Sequence, residues 1–232
     1  MGNRADSFNR ADAALLGSTP SDGGSAWSGG GTFNITSNRV VGSAGGSWIP
    51  VVLEASTNQV DITATAVAIT NGGLVLRYAD ANNFLLAQVI STGLGLYRRV
   101  AGTFTQIGSL YSGTISAGST IRASVDSADS ISVYHNGTLR IGPVTHNAGA
   151  ANTKHGLVVF TAITWDDWSL TDTASAGTPV GMATGTDTAL ALSGSQLRAV
   201  GLATETDTAL ALSAGAAAGA GGGGARPDQL VA

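Results

Sequence analysis

The run Ile121-Arg122-Ala123-Ser124-Val125-Asp126, followed by Ile131-Ser132-Val133-Tyr134-His135-Asn136-Gly137-Thr138-Leu139-Arg140-Ile141, decides the fold class. Ile121, Ala123 and Val125 alternate with Arg122, Ser124 and Asp126. That period of two sends apolar and charged side chains to opposite faces of an extended chain. Ile131 and Val133 repeat the pattern and lead into Asn136-Gly137. Such a pair adopts positive φ readily, so it predicts a tight hairpin turn with Thr138 to Ile141 as the partner strand.

The same reading extends outward. Val60 to Ala66 alternates over a β-branched run with no helical period, which predicts a half-buried strand. Further strands are expected at 33–41, 48–54, 73–79, 84–90, 94–100, 103–109, 156–162 and 163–170. Asn71-Gly72-Gly73 and Asp80-Ala81-Asn82-Asn83 supply turn chemistry between them. Many short strands at this spacing predict an all-β sandwich or jelly roll, with no long helix before residue 176.

Composition narrows the chemistry. The 232 residues include 33 Gly, no Cys and 11% charged side chains, against about 25% in ordinary domains. Without Cys there is no disulfide scaffold, zinc knuckle or thiol nucleophile. The net charge of −4 and a pI near 5.1 speak against a nucleic-acid binder, and Arg98-Arg99 is the only adjacent basic pair. No apolar stretch approaches the roughly 20 residues of a membrane helix. Met1 to Phe8 lacks the apolar segment of a signal peptide, so export through a cleaved leader is not expected. Ten of the eleven basic residues are Arg, with Lys154 the exception, a bias that fits a GC-rich coding source.

Three textures divide the chain: residues 1–176, rich in aromatics and β-branched residues; residues 177–213; and an Ala/Gly-rich tail over 214–232. The middle region holds a repeat. Residues 181–192 return as 201–212, identical at ten of twelve positions with an offset of 20. One unit is too small to bury its own apolar face. The repeat therefore reads as an assembly segment, with Leu190, Leu192, Leu210 and Leu212 burying against a partner and Asp187 and Asp207 capping the turn before each apolar run; the competing reading is a duplicated linker. The tail has little to bury and much backbone entropy to lose, so it predicts no fold of its own.

The opening Asp6-Ser7-Phe8-Asn9-Arg10-Ala11-Asp12, leading through Gly17 to Trp27 and Thr32-Phe33-Asn34-Ile35, resembles the start of concanavalin A-like (laminin-G-like) jelly rolls of bacteriophage tail proteins and bacterial surface proteins. Gly73 to Arg77, Asp80 to Phe84, Leu96 to Val100, Ser130 to Gly137, His155-Gly156-Leu157 and Asp166 to Leu170 continue the pattern over residues 5–172. The spacing between Leu16 and Trp27 is longer than the pattern's, and Phe33 stands where a second Trp is usual. The repeat is similar to repeats in minor tail proteins of phages infecting actinobacteria. Together the resemblances imply a virion structural protein at the particle surface. Its partners would be other virion proteins and further copies of itself, a homotrimer by analogy with fibres and spikes. The alternatives are a capsid decoration protein or head fibre, and a bacterial surface carbohydrate-binding module. Similar jelly rolls can also hold Ca²⁺ between first and last strands, which here would fall to Asp6, Asp166 and Asp167; the competing reading is solvent-facing or turn-capping carboxylates.

Catalytic constellations are sparse. Glycoside hydrolysis needs two carboxylates flanking the bond, yet the chain has two Glu in all, Glu54 and Glu205, and the second lies in the repeat. Asp166 and Asp167 are adjacent on an expected strand and so face opposite ways. No Gly-x-Ser-x-Gly elbow occurs. His135, His146 and His155 lack metal-ligand spacing and read as turn or surface residues. Gly219, Gly221 and Gly224 match Gly-x-Gly-x-x-Gly through composition alone, with no strand before them. The reading is thus non-enzymatic. Carbohydrate recognition stays open, since sugar faces stack on exposed aromatics while polar groups bond the hydroxyls; Trp48, Tyr97, Tyr111 and Tyr134 are candidates, with Arg98 and Asn82. Trp27, Phe33, Trp165 and Trp168 are expected in the core.

Overall fold

The computed structural model describes residues 3–173, and these form seventeen strands with no helix. In chain order they are β1 (Arg4–Asp6), β2 (Ala13–Ala14), β3 (Ser28–Gly29), β4 (Thr32–Thr36), β5 (Arg39–Ser43), β6 (Ile49–Glu54), β7 (Val60–Ile69), β8 (Asn71–Asp80) and β9 (Asn83–Ile90). There follow β10 (Gly93–Val100), β11 (Thr103–Gln106), β12 (Tyr111–Ser112), β13 (Thr120–Val125), β14 (Ser130–His135), β15 (Thr138–Thr145), β16 (Lys154–Val159) and β17 (Ala162–Asp172). The repeat, the tail and the assembly residues Asp187, Leu190, Leu192, Asp207, Leu210 and Leu212 lie outside the described residues.

Two antiparallel sheets result. One runs β15-β14-β13-β7-β17-β5-β4-β2, with β1 also on β17; the other runs β11-β10-β9-β8-β16-β6-β3, with β12 also on β10. Strands close in sequence are split between sheets while distant ones pair, as β7 does with β17 and β8 with β16. This is a jelly-roll β-sandwich.

The deciding stretch folds as its alternation requires. Ile121, Ala123, Val125, Ile131 and Val133 are buried between the sheets. Asn136 and Gly137 take φ of 49° and 75° and join His135 to Thr138 as the two-residue turn. The expected strand 33–41 is instead two strands. Ser37 and Asn38 both adopt positive φ, 52° and 61°, and Thr36 pairs with Arg39. With no glycine there, the alternation reads straight through a turn.

The inter-sheet core holds Trp27, Phe33, Trp165 and Trp168, as expected. Trp27 and Trp168 meet edge to face with centroids 5.0 Å apart. Asp6 lies beneath them, fully buried. Its Oδ1 accepts from Arg10 Nη1 at 2.6 Å and from the Phe8 N–H at 2.9 Å; its Oδ2 accepts from Arg10 Nη2 at 3.0 Å and Trp27 Nε1 at 2.8 Å. The long spacing before Trp27 forms a loop closed by Gly17 N–H to Trp27 O and Trp27 N–H to Ser18 O, which delivers the indole to that carboxylate.

Candidate functional site

Alternation fixes which residues of the second sheet leave the core. On β8, Leu74 and Leu76 point inward and Val75 outward; on β9, Leu85 and Ala87 point inward and Phe84 and Leu86 outward. On β10, Leu94 and Leu96 point inward, so Gly95, Tyr97 and Arg99 face out. The outward residues make a second apolar cluster of Val52, Val75, Phe84, Leu86 and Val158, flanked by half-buried Trp48, Tyr78, Tyr97 and Phe104.

Register shapes this outer face. One rung reads Tyr97, Leu86, Val75, Gly156, Val52 across β10, β9, β8, β16 and β6. The next reads Gly95, Gln88, Gly73, Val158, Pro50. Gln88 therefore stands between two glycines, so no side chain of its own rung flanks its amide, which leaves a hollow there. Its Nε2 donates to Asn71 Oδ1 at 2.9 Å, while its Oε1 accepts no hydrogen bond from the described residues. A Cβ at Gly95 would sit 2.5 Å from Tyr97 Cε2, so the glycine makes room for the phenol ring beside it.

Aromatic rings border the hollow. Trp48 lies 5.3 Å from Phe104 and 4.9 Å from Phe160, centroid to centroid. Phe104 meets Tyr97 at 6.5 Å and Phe84 at 6.0 Å, both edge to face. Trp48, Leu86, Gln88, Tyr97 and Phe104 line a cavity of about 220 Å³. A second, of about 170 Å³, shares Gln88 and Tyr97 and extends to Leu110 and Tyr111. Flat apolar rings beside a free amide carbonyl suit a ligand with a C–H face and hydroxyl donors.

The structure thus gathers Trp48 and Tyr97, with Tyr111 in the adjoining cavity. Tyr111 also packs on the core, 6.1 Å from the His135 ring, with the Arg140 guanidinium 4.7 Å from its own. Tyr134 belongs to the other sheet, under the Arg122 guanidinium at 3.6 Å. Arg98 alternates to the face opposite Tyr97, and its charge helps hold down the His146 pKa, which burial lowers first. Asn82 sits in the β8–β9 turn, its N–H donating to Asp80 Oδ1. Sequence reading missed Phe104, Leu86 and Gln88, because only cross-strand register places them together.

β1 pairs with β17 and sets Asp6 opposite Trp168, as the calcium reading expects of the first and last strands, but the three carboxylates form no cluster. No group of three or more His, Asp or Glu able to hold a metal occurs among the described residues. Asp6 spends both oxygens on Arg10, Trp27 and the Phe8 N–H. The Asp166 carboxylate pairs with Arg39 at 3.7 Å, and Asp167 takes a φ of 47° at an irregularity in β17, its N–H donating to Asp166 Oδ1.

The histidines need correction. His155 is wholly buried and His135 nearly so. His155 Nδ1 accepts from the Arg77 N–H at 3.2 Å, so Nε2 carries the proton and donates to Thr57 O at 3.0 Å. Burial pushes its pKa down to about 4. Arg77 bulges from β8 with a φ of 50°, which aims its N–H at the ring.

No protein-family model matches the chain, and no curated protein matches it. Solved structures do. A GH43 protein, BlXynB from Bacillus licheniformis, superposes with a TM-score of 0.51 at 11% identity, over 73% of this chain and 39% of that one. The shared feature is the fold. The carbohydrate-binding module CBM66 from Bacillus subtilis gives a TM-score of 0.48 at 20% identity, over 61% of this chain and 91% of that one. The Emp47p carbohydrate recognition domain gives 0.47 at 12% identity, over 73% and 97%.

Proposed function

We propose that the sandwich is a non-enzymatic saccharide-binding module that uses the outer face of its second sheet. The observation that carries this reading is the cavity in which Trp48, Tyr97 and Phe104 stand around the Gln88 amide. The rings supply a flat apolar surface for a pyranose, and the unpaired Gln88 Oε1 accepts a hydroxyl. Half-buried aromatics suit this role, because a ligand can still cover them. The test is a glycan array probed with the full-length chain and with its Trp48→Ala and Phe104→Ala variants. Saccharide binding that both substitutions abolish supports the reading; a blank array, or binding that survives both, removes it.

The proposed setting is a bacteriophage virion, where the sandwich is displayed and the C-terminal repeats attach or oligomerise it. This part is supported by the sequence resemblance and the duplication of residues 181–192 as 201–212. Light scattering of the full chain beside residues 1–176 tests it. A full-length trimer with a monomeric fragment supports an oligomerising repeat, and monomers for both speak against one.

A further inference from the structure

We infer that the cavity beside the aromatic hollow binds the anionic group of an acidic saccharide, an inference that rests on the saccharide reading above. Arg77, Asn83, Phe84, Arg99, Gly149 and Asn152 are among the residues that line this cavity of about 280 Å³. It adjoins the hollow through a shared wall. Phe84 faces this cavity, Phe104 faces the hollow, and the Arg99 guanidinium lies 5.7 Å and 5.0 Å from their ring centroids.

The charge of the lining is one-sided. No carboxylate of the described residues lines the cavity. Arg99 Nη1 donates to Ala81 O at 2.7 Å and its Nε to Gly102 O at 3.3 Å, both neutral partners. Arg99 makes no ion pair, and its Nη2 donates to none of the described residues. The guanidinium is thus held in place by neutral carbonyls and aromatic faces, not by an ion pair. Asp80, in the same turn as Ala81, has its pKa lowered first by hydrogen bonds from the Asn82 N–H and Asn83 Nδ2 and last by the nearby Arg99 charge, but it makes no ion pair with Arg99 and does not line the cavity.

Arg77 adds a second, deeper positive charge. It is wholly buried, with Nη2 2.5 Å from Asp129 Oδ1, Nε donating to Asn58 O, and Nη1 buried without a partner. An unsatisfied buried donor is costly, and a nearby anion offsets part of that cost through the low-dielectric interior. Of the two arginines that line the cavity, Arg77 is paired with Asp129, and Arg99 makes no ion pair among the described residues. A carboxylate or sulfate on a sugar whose ring stacks in the hollow would supply the missing negative charge, with Arg99 donating to it in fork geometry.

The test uses the full-length chain and immobilised tetrasaccharides of one backbone ending in glucose, glucuronic acid or glucose 6-sulfate. The acidic members, or one of them, should bind about tenfold or more tightly than the neutral one, as expected for hydrogen bonds to a charged group. The preference should shrink as salt is raised. Arg99→Gln should erase the preference. Asn152→Asp, which puts a negative charge in the cavity without touching Arg99, should reverse or abolish it and covers the case that the Arg99 variant folds poorly. Equal binding of neutral and acidic members by the wild type, or a preference that both variants keep, overturns the inference while leaving the saccharide reading intact. No binding to any member, with none on the wider array, overturns both.

Discussion

Trp48 and Phe104 come from opposite sides of the strand order of the second sheet, yet their ring centroids lie 5.3 Å apart. Trp48 precedes β6, and Phe104 belongs to the terminal strand β11. With strands spaced roughly 4.8 Å apart, two side chains at those positions could not meet across a flat sheet. Trp48 stands in the loop before β6, packed on Phe160 of the β16–β17 turn, and from there its ring reaches over the outer face to Phe104. The pairing of the two rings therefore closes one side of the cavity that Gln88 and Tyr97 also line.

Two glycines on the Gln88 rung should behave differently when substituted. A Cβ at Gly95 meets the tip of the Tyr97 ring, whereas a Cβ at Gly73 comes 2.1 Å from the Ala87 carbonyl oxygen. A ring can swing aside and a backbone carbonyl cannot. Gly95→Ala should leave the melting temperature nearly unchanged and weaken saccharide binding by displacing Tyr97. Gly73→Ala should lower the melting temperature by several degrees, in the range of a 1–3 kcal/mol overpacking cost (roughly). Differential scanning fluorimetry on both variants checks this; equal melting temperatures would refute it.

The buried His155 makes stability depend on acid. Its pKa is about 4 in the folded chain against an ordinary value of 6.5. Between those values the unfolded chain takes up a proton that the folded chain refuses, so lowering the pH favours unfolding. The contribution is fully present above pH 6.5 and is lost as the pH falls to about 4, a change of about 3 kcal/mol. Long-range ¹⁵N NMR of the imidazole should show a protonated Nε2 and a midpoint near 4. Urea titrations at neutral pH and pH 4 should show the matching loss, smaller in His155→Gln. A midpoint near 6.5 would contradict the buried ring.

Asp6 ties β1 to the tryptophan pair. Replacing it with Ala strands the Trp27 N–H in the core, while half-buried Arg10 keeps Ser18 and some access to water, so the cost is that of an unsatisfied buried donor and lost charge-assisted bonds, about 1–3 kcal/mol. Urea unfolding of Asp6→Ala should show that loss, with Arg10→Met at least as costly, because it leaves the fully buried carboxylate without its counter-charge and with only Trp27 Nε1 and the Phe8 N–H. Equal stability of Asp6→Ala and the wild type would mean that the network contributes little.

Much of the fold was legible because its signals are local. The period of two around Ile121 and Ile131 and the Asn136-Gly137 turn needed no knowledge of partners. The turn at Ser37-Asn38 was not legible, since neither residue announces positive φ as glycine does. The site was read in part. Trp48 and Tyr97 stood out as aromatics, but Tyr134 sits on the other sheet, and nothing in the sequence says which sheet a strand joins. Gln88 and Phe104 matter only through register, Gln88 because Gly95 and Gly73 flank it on neighbouring strands. His155 looked like a surface residue because the bulge at Arg77 that satisfies it lies 78 positions away.

Tryptophan fluorescence offers the most direct test of the proposed binding face. Of the four tryptophans, Trp27, Trp165 and Trp168 are buried to 1% exposure or less, and only Trp48 is partly open to solvent. Saccharides that bind the array should therefore shift or quench the emission of the full-length chain in a saturable way, and protect it from acrylamide. The response should vanish in Trp48→Phe. Saturable binding that leaves Trp48 emission and acrylamide access unchanged would place the ligand elsewhere and contradict the account.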